Sequence, residues 1–252
     1  MRLTQDLKGA LSPVVDLLYP PRCPLCGAAI AQQGGLCTEC WSAIEVPGEP
    51  SCRACQRPLR PGATCTVRED GLGAICRKPP PRHSGILAAT LYNNTSRDIV
   101  LRLKRGRRLA LAELMAQMMA QRLPDAQAGA LPPLLVPVPL HRMRLWERGF
   151  NQAALLARGL ARLGKGRLCV DALERIRRTP QLGGLGQEER RRVLEGAIRV
   201  ASARRAMIAH SHVLLVDDVL TSGATSDACV AALLDAGAAS VRIACFARTA
   251  AG

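Results

Sequence analysis

The stretch HVLLVDDVLTSGAT, His212 to Thr225, is where residue types first suggest chemistry. Four apolar residues, Val213 to Val216, run straight into Asp217 and Asp218. Carboxylates at the end of a buried segment are costly unless they meet a cation, a metal or sugar hydroxyls. Thr221, Ser222, Gly223, Ala224 and Thr225 then follow, all small and three of them hydroxylated. Small side chains let backbone N–H groups close around an anion, and a helix N-terminus behind them adds favourable potential. The segment therefore sets acceptors for hydroxyl groups beside a cradle for phosphate, a pairing that a ribose 5-phosphate would satisfy. A plain strand-to-turn junction uses the same residues. The spacing fits neither the Gly-x4-Gly-Lys phosphate loop nor the GxGxxG dinucleotide turn.

Cations gather elsewhere. PVPLHRMRLWERGF places His141, Arg142, Arg144 and Arg148 between a Pro-rich strand exit and a helix start. Lys104 and Arg105 close another helical segment, and Arg177, Arg178 and Gln181 lie in a polar stretch further on. Each arginine alone suits a solvated surface; as a set near strand ends they suit a second anion site. His141 in such a loop is better read as a phosphate donor or surface residue than as a base. No nucleobase pocket is evident, since the chain has two Phe, two Tyr and two Trp. Trp146 and Phe150 do lie beside the basic segment.

The eleven cysteines are unevenly spread, eight of them between Cys23 and Cys76. The spacing Cys23-x2-Cys26, then Cys37-x2-Cys40, reads as a zinc ribbon, with Gly27 as the knuckle turn. Four thiolates leave zinc no open position, so its role is structural. Cys52-x2-Cys55 is a third knuckle whose partners would be Cys65 and Cys76, too far apart to form a fourth. A second zinc there and a metal-free remnant are the two alternatives. Cys169, Cys229 and Cys245 sit within strand or helix patterns and read as core.

Around these groups the elements alternate. ILAATLY (86–92) reads as a strand, Asn93-Asn94 as a turn and SRDIVLRL as a short helix. LALAELMAQMMAQRL (109–123) reads as a helix with Leu111, Leu114, Met115 and Met118 on one face, stopped by Pro124. LLVPVPL (134–140) is a strand whose prolines put it at an edge or open it into a loop. Asn151 caps a helix that ends at Gly164. LCVDAL and AIRV are short strands, VLLV (213–216) is a strand, Thr225 to Ala236 a helix ended by Gly237, and SVRIACFA a last strand. Strands alternating with helices imply a parallel sheet wrapped by helices. RKPPPRH is a stiff linker between this body and the Cys-rich region.

The chain has 252 residues and a formal net charge of +15. That balance favours polyanionic partners such as nucleic acid, phosphorylated small molecules or anionic membrane surfaces, or reflects only an Arg-rich composition. No apolar run reaches the roughly 20 residues of a membrane span. MRLTQDLKGALSPVVDLL puts Asp6 and Lys8 where a signal peptide is apolar, so a cytoplasmic location is expected. Leu3, Leu7, Leu11, Val14 and Leu18 recur instead at helical spacing, interrupted by Pro13.

Several segments together resemble known families. VLLVDDVLTSGAT looks like the phosphoribosyl pyrophosphate (PRPP) motif of type I phosphoribosyltransferases. LVPVPLHRMRLWERGFNQAALLA is similar to a signature of the ComF family, the competence-protein phosphoribosyltransferase-like group that includes ComFC and GntX. LRLKRGRRLALAELMA resembles that family's early lysine segment, and LLYPPRCPLC its opening. The likeness spans nearly the whole chain.

It implies an α/β fold: a type I phosphoribosyltransferase-like parallel sheet flanked by helices over 86–252, preceded by an N-terminal helix and double zinc ribbon over 1–80. It implies Asp217 and Asp218 at the ribose, and Thr221, Ser222, Gly223, Ala224 and Thr225 at the 5-phosphate. Lys104, His141, Arg142, Arg144 and Arg148 become candidates for the pyrophosphate, with Mg2+ accompanying PRPP. Zinc would be held by Cys23, Cys26, Cys37 and Cys40, and a second by Cys52, Cys55, Cys65 and Cys76. Single-stranded DNA and other competence proteins, such as a DNA helicase, become the expected partners, in DNA uptake and transformation. The activity would be pentosyl transfer to an acceptor the sequence does not name. The alternatives are a single-stranded DNA-binding accessory and a PRPP-sensing regulator without transferase activity. Val193 and Ile198 stand where the family usually carries an Asn and an aromatic.

Overall fold

The computed structural model describes residues 19–48, 51–52, 56, 66–67, 74–75, 81–106, 109–124, 131–177, 193–194 and 196–249. Two compact units emerge, Met1–Ile44 and Glu45–Gly252.

In the first unit, a knuckle turn at Cys23–Cys26 is closed by Gly27, whose N–H donates to the Cys23 carbonyl at 2.9 Å. Gly27 adopts φ 80°, a left-handed value that favours glycine. Helix α1 (Thr38–Ser42) follows, with Cys37 as its N-cap.

The second unit is built on β1 (Thr66–Val67), β2 (Ala74–Ile75), β3 (Ile86–Leu91), α2 (Asn94–Gly106), α3 (Ala110–Arg122), β4 (Leu134–Pro137), α4 (Arg142–Arg148), α5 (Gln152–Arg162), β5 (Arg167–Leu168), β6 (Leu173–Arg175), β7 (Ile198–Val200), α6 (Arg205–Ile208), β8 (His212–Leu220), α7 (Ala224–Asp235) and β9 (Ser240–Arg248). Its main sheet has the order β3-β9-β8-β4-β5, and every pair in it is parallel. β6 and β7 form a separate antiparallel pair.

Successive strand side chains leave opposite faces, so the register divides the core in two. Ile86, Ala88, Val136, Val213, Leu215, Ile243 and Cys245 share one face and cluster with Cys229, Val230 and Leu233 of α7. Leu135, Leu214, Val216, Ala244 and Phe246 leave the other face, where α3 and α5 pack. Both faces being covered explains why VLLV is apolar at every position.

Some expected bounds shift. β8 does not stop at Val216 but runs through both aspartates to Leu220. The reason is β9, which stays in register from His212↔Ser240 to Leu220↔Arg248. On its other side β8 pairs with β4 only as far as Val216↔Pro137. The aspartates therefore lie past the end of β4 while still inside β8.

β4 is an interior strand, so of the two expectations for its prolines the opening into a loop is the one realised. Leu135 O accepts from Cys169 N at 3.0 Å, and Val138 N donates to Val216 O at 2.9 Å. Odd positions of β4 thus face β5 and even positions face β8. β5 pairs only opposite Leu134 and Leu135. Pro137 removes a donor on the side where the neighbouring strand has already ended.

The free edge of β3 is closed by chain from the Cys-rich region. Glu45 O accepts from Leu91 N, and Gln56 Oε1 accepts from Ala88 N, both at 2.7 Å. Cys52 is buried within the core cluster.

Candidate functional site

The chain leaves β4 toward β5 at one edge, and leaves β8 toward β9 in the opposite direction. Between β4 and β8 the winding therefore reverses, and α/β sheets open a crevice at the carboxyl ends of such a strand pair. Two loops face each other there: Val138–Asn151 after β4, and Thr221–Gly223 after β8.

The first loop is fastened at both ends. Asn151 Nδ2 donates to Val138 O at 2.9 Å, while its Oδ1 caps α5 by accepting from Ala153 N at 3.0 Å. α4 fills the loop between a His141 N-cap and a Gly149 C-cap at φ 79°. His141 Nδ1 accepts from Met143 N at 3.3 Å, so the ring is engaged with its own helix. Arg144 and Arg148, one turn apart, share a face. Burial holds the Arg148 guanidinium below its ordinary pKa; the charge of Asp218 opposes this and that of Arg144 adds to it. Arg148 thus lies within the field of Asp218. Arg142, two residues from Arg144, leaves the opposite face and is exposed.

The second loop carries the small residues. Gly223 is the N-cap of α7 at φ 86° and supplies no side chain. The first amides of such a helix have no intrahelical partner, which is the arrangement an anion site needs. The helix starts one residue before the expected Thr225, so Ala224 joins Thr225 in the first turn of α7. The loop is held from below by Arg248. That side chain is 3% exposed, and its Nη1 donates to Leu220 O at 2.9 Å and Thr221 O at 2.5 Å.

The two acids differ. Asp218 meets Lys104 of α2, with Nζ 2.7 Å from Oδ2. That buried oxygen takes no well-angled hydrogen bond, so the ammonium is its partner. Asp217 leaves the face of the sheet that packs on α7. Its Oδ1 accepts from Asp218 N at 2.8 Å. Burial, together with the neighbouring Asp218 charge, pushes the Asp217 carboxyl up to about 8. Proton retention is thus favoured at Asp217, while Asp218 faces an ammonium. Asp217 is nonetheless only half-buried, so part of it still meets the crevice.

Lys104, Asp218, Arg144 and Arg148 come together from three elements, α2, β8 and α4. Arg105 is exposed, Arg142 is turned away and His141 serves as a cap. Arg178 and Gln181 lie outside the described residues. Two arginines escaped sequence reasoning. Arg175 of β6 is held below its usual pKa by burial and by Arg144, which places it over the same crevice. The signal for Arg248 was a guanidinium closing the strand SVRIACFAR, whose other arginine, Arg242, is exposed.

In the ribbon, the sulfurs of Cys23, Cys26, Cys37 and Cys40 lie within 4.8 Å of one another. Cys26 Sγ and Cys37 Sγ are 3.5 Å apart. A tetrahedral zinc with bonds of about 2.3 Å requires sulfur separations of about 3.8 Å, so the set fits that ion. Burial raises the Cys23 thiol, but the N–H groups of Cys37, Cys26 and Leu25 outweigh it and bring it down to about 6. Burial and the neighbouring sulfurs push Cys40 up. One ready thiolate beside reluctant thiols is what a shared sulfur cage does when only protons balance its charge. Cys55, Cys65 and Cys76 lie outside the described residues.

A double zinc ribbon domain matches residues 14–68, and a phosphoribosyl transferase domain matches residues 148–252. DNA utilization protein YhgH of Salmonella typhi is 31% identical over 238 residues, 92% of this chain and 99% of that protein. DNA utilization protein YhgH of Escherichia coli K12 is 30% identical over 237 residues, again 92% and 99%. Competence protein F of Haemophilus influenzae is 27% identical over 198 residues, 75% of this chain and 86% of its own length. The chain belongs to the ComF family. ComF membership makes the crevice part of a phosphoribosyltransferase domain and the four-cysteine cage part of a zinc ribbon. No helix among the described residues of this ComF chain is long and apolar enough to cross a membrane.

Proposed function

We propose that the crevice binds PRPP and that the protein acts, in the cytoplasm, in the handling of DNA taken up by the cell. The observation that carries this reading is the meeting of Lys104, Asp218, Arg144 and Arg148 at the reversal of the sheet, beside an uncapped helix start. Asp217 and Asp218 together offer carboxyl oxygens, which suit the vicinal hydroxyls of ribose. Thr221, Ser222, Gly223, Ala224 and Thr225 would take the 5-phosphate, with Arg248 fixing the base of that loop. Arg144, Arg148 and Lys104 would take the pyrophosphate, with His141 capping the helix that presents the two arginines.

Phosphoribosyl transfer breaks the bond from C1 to pyrophosphate through a cationic ribose, so no covalent nucleophile is required. The chain must orient PRPP, exclude water and spread the charge gathering on the leaving group. Mg2+, held largely by the phosphates with at most one or two carboxylates, would share that charge. Asp218 is the carboxylate within reach, and Lys104 would then move from it to a phosphate.

Isothermal calorimetry with PRPP and Mg2+ tests the site: wild type binds, and Asp218→Ala loses binding. Equal affinity in the variant overturns the assignment. Pyrophosphate release across a panel of nucleobases then separates a transferase from a PRPP sensor. One observation favours the sensor or accessory: Ile198 is buried in β7, where the family pattern has an aromatic. The relatives carry names of DNA utilization and competence, and the charge of +15 suits single-stranded DNA as a partner. DNA-handling proteins of competence, a helicase among them, are the protein partners we propose.

A further inference from the structure

α4 has an unusual surface. It is seven residues long and none of them is buried. Trp146 is 88% exposed, Met143 46% and Leu145 42%. An aromatic side chain of that size gains a great deal by being covered. The helix has two working faces. Arg144 and Arg148 turn toward the crevice, where Arg148 is desolvated beside Asp218. Arg142 and Trp146, one turn apart, share the opposite face, flanked by Met143 and Leu145.

We propose that Trp146 with Arg142 is a stacking platform for a single-stranded polynucleotide, laid over the rim of the crevice. This rests on the reading of DNA as partner and names the surface that receives it. The indole stacks on a base, Arg142 meets the adjoining phosphate, and Arg144 and Arg148 continue the cationic track inward. Single-stranded nucleic acids are bound by this combination of aromatic faces and a basic groove. α4 carries three arginines against one glutamate, so its charge complements a phosphate chain. An anionic membrane is the weaker occupant. Arg142 lies in the middle of the exposed apolar face and would be dragged into hydrocarbon with it.

The chain has two tryptophans, which makes the test direct. Full-length protein with Trp41→Phe is titrated with a short oligothymidylate while Trp146 fluorescence is followed. Quenching is expected, with affinity falling about tenfold or more in Trp146→Ala and largely kept in Trp146→Phe. Wild type minus Trp146→Ala isolates the same signal should Trp41→Phe fold poorly. Calorimetry with PRPP is run on Trp146→Ala in parallel and stays at the wild-type value. Equal binding of oligothymidylate by Trp146→Ala, with no quenching in the parent, overturns the platform and leaves the DNA reading standing. No binding of oligothymidylate by wild type overturns both. Quenching by phosphatidylglycerol vesicles alone, or by raised protein concentration alone, assigns the face to a membrane or a second copy and also overturns it.

Discussion

The ribbon draws its four sulfurs from residues 23 to 40, a span that one knuckle turn and one short helix can organise. The crevice draws Lys104 from α2, Arg144 and Arg148 from α4, Arg175 from β6 and Asp218 from β8. In the ribbon, the ligands define the fold: without an ion between them, four sulfurs have little reason to converge. In the crevice the fold defines the site. A sheet covered on both faces leaves its polar groups only one edge at which to meet. Removing a crevice group should therefore weaken a function on a standing scaffold, whereas removing the metal should take the ribbon's scaffold away.

The largest effect expected follows from that contrast. Chelating zinc, or Cys26→Ser, should unfold the ribbon, since structural zinc in small modules contributes about 10 to 16 kcal/mol. Hydrogen exchange over residues 19–44 would register it, with PRPP calorimetry as the second readout. The comparison breaks if PRPP affinity falls in step with the ribbon's protection.

Next in size is Lys104→Ala. It leaves the Asp218 carboxylate enclosed without its ammonium, a change of about 3 kcal/mol for a buried pair losing one member. Urea unfolding should show the loss, and adding Asp218→Asn should recover part of it. A Lys104→Ala protein as stable as wild type would mean that the pair contributes to binding alone.

Asp217 gives a pH signature on the same scaffold. Its folded carboxyl is raised to about 8, above the ordinary 3.8. Stability from this group is complete below pH 4 and is lost as pH rises through 8, because the unfolded chain gives up the proton first. Asp217→Asn should flatten the slope of stability against pH across that window and raise the melting temperature at its alkaline end. After the amide's own burial penalty, the gain is on the order of 2 kcal/mol. A slope unchanged by the substitution would place the titration elsewhere.

How much of this was legible follows the same division. The Cys-x2-Cys spacing encodes geometry within a few residues, so the cage could be read directly. Asn151 could be read as a cap because its partner Ala153 is two residues away. The run VLLVDD announced the crevice, but not that β8 continues to Leu220, since β9 decides that. The role of Arg248 was illegible for the same reason: its acceptors, Leu220 and Thr221, belong to another strand's end. Nor could the division of labour between Asp217 and Asp218 be seen. It comes from the alternation of strand faces, with Lys104 on one side and α7 on the other.

The smallest effect lies behind the crevice, at Gly159 of α5. α3 and α5 pack on each other there, and a Cβ at Gly159 would come within 2.5 Å of Ala116 Cβ. Alanine has no rotamer with which to withdraw, so the two helices must separate. Overpacking of this kind costs about 1 to 3 kcal/mol. Gly159→Ala also gains about 1 kcal/mol of helix propensity, which offsets part of the clash. The net is a loss of about 1 kcal/mol, and pairing the change with Ala116→Gly should abolish it, because the same volume is then returned across the contact. α5 carries Asn151 at its N-terminus, and Asn151 holds the arginine loop, so the single variant should also weaken PRPP slightly while leaving ribbon protection untouched. Thermal unfolding of the single and double variants measures the first effect. If Gly159→Ala were the more stable protein, the close approach of α3 and α5 would have no part in setting the crevice.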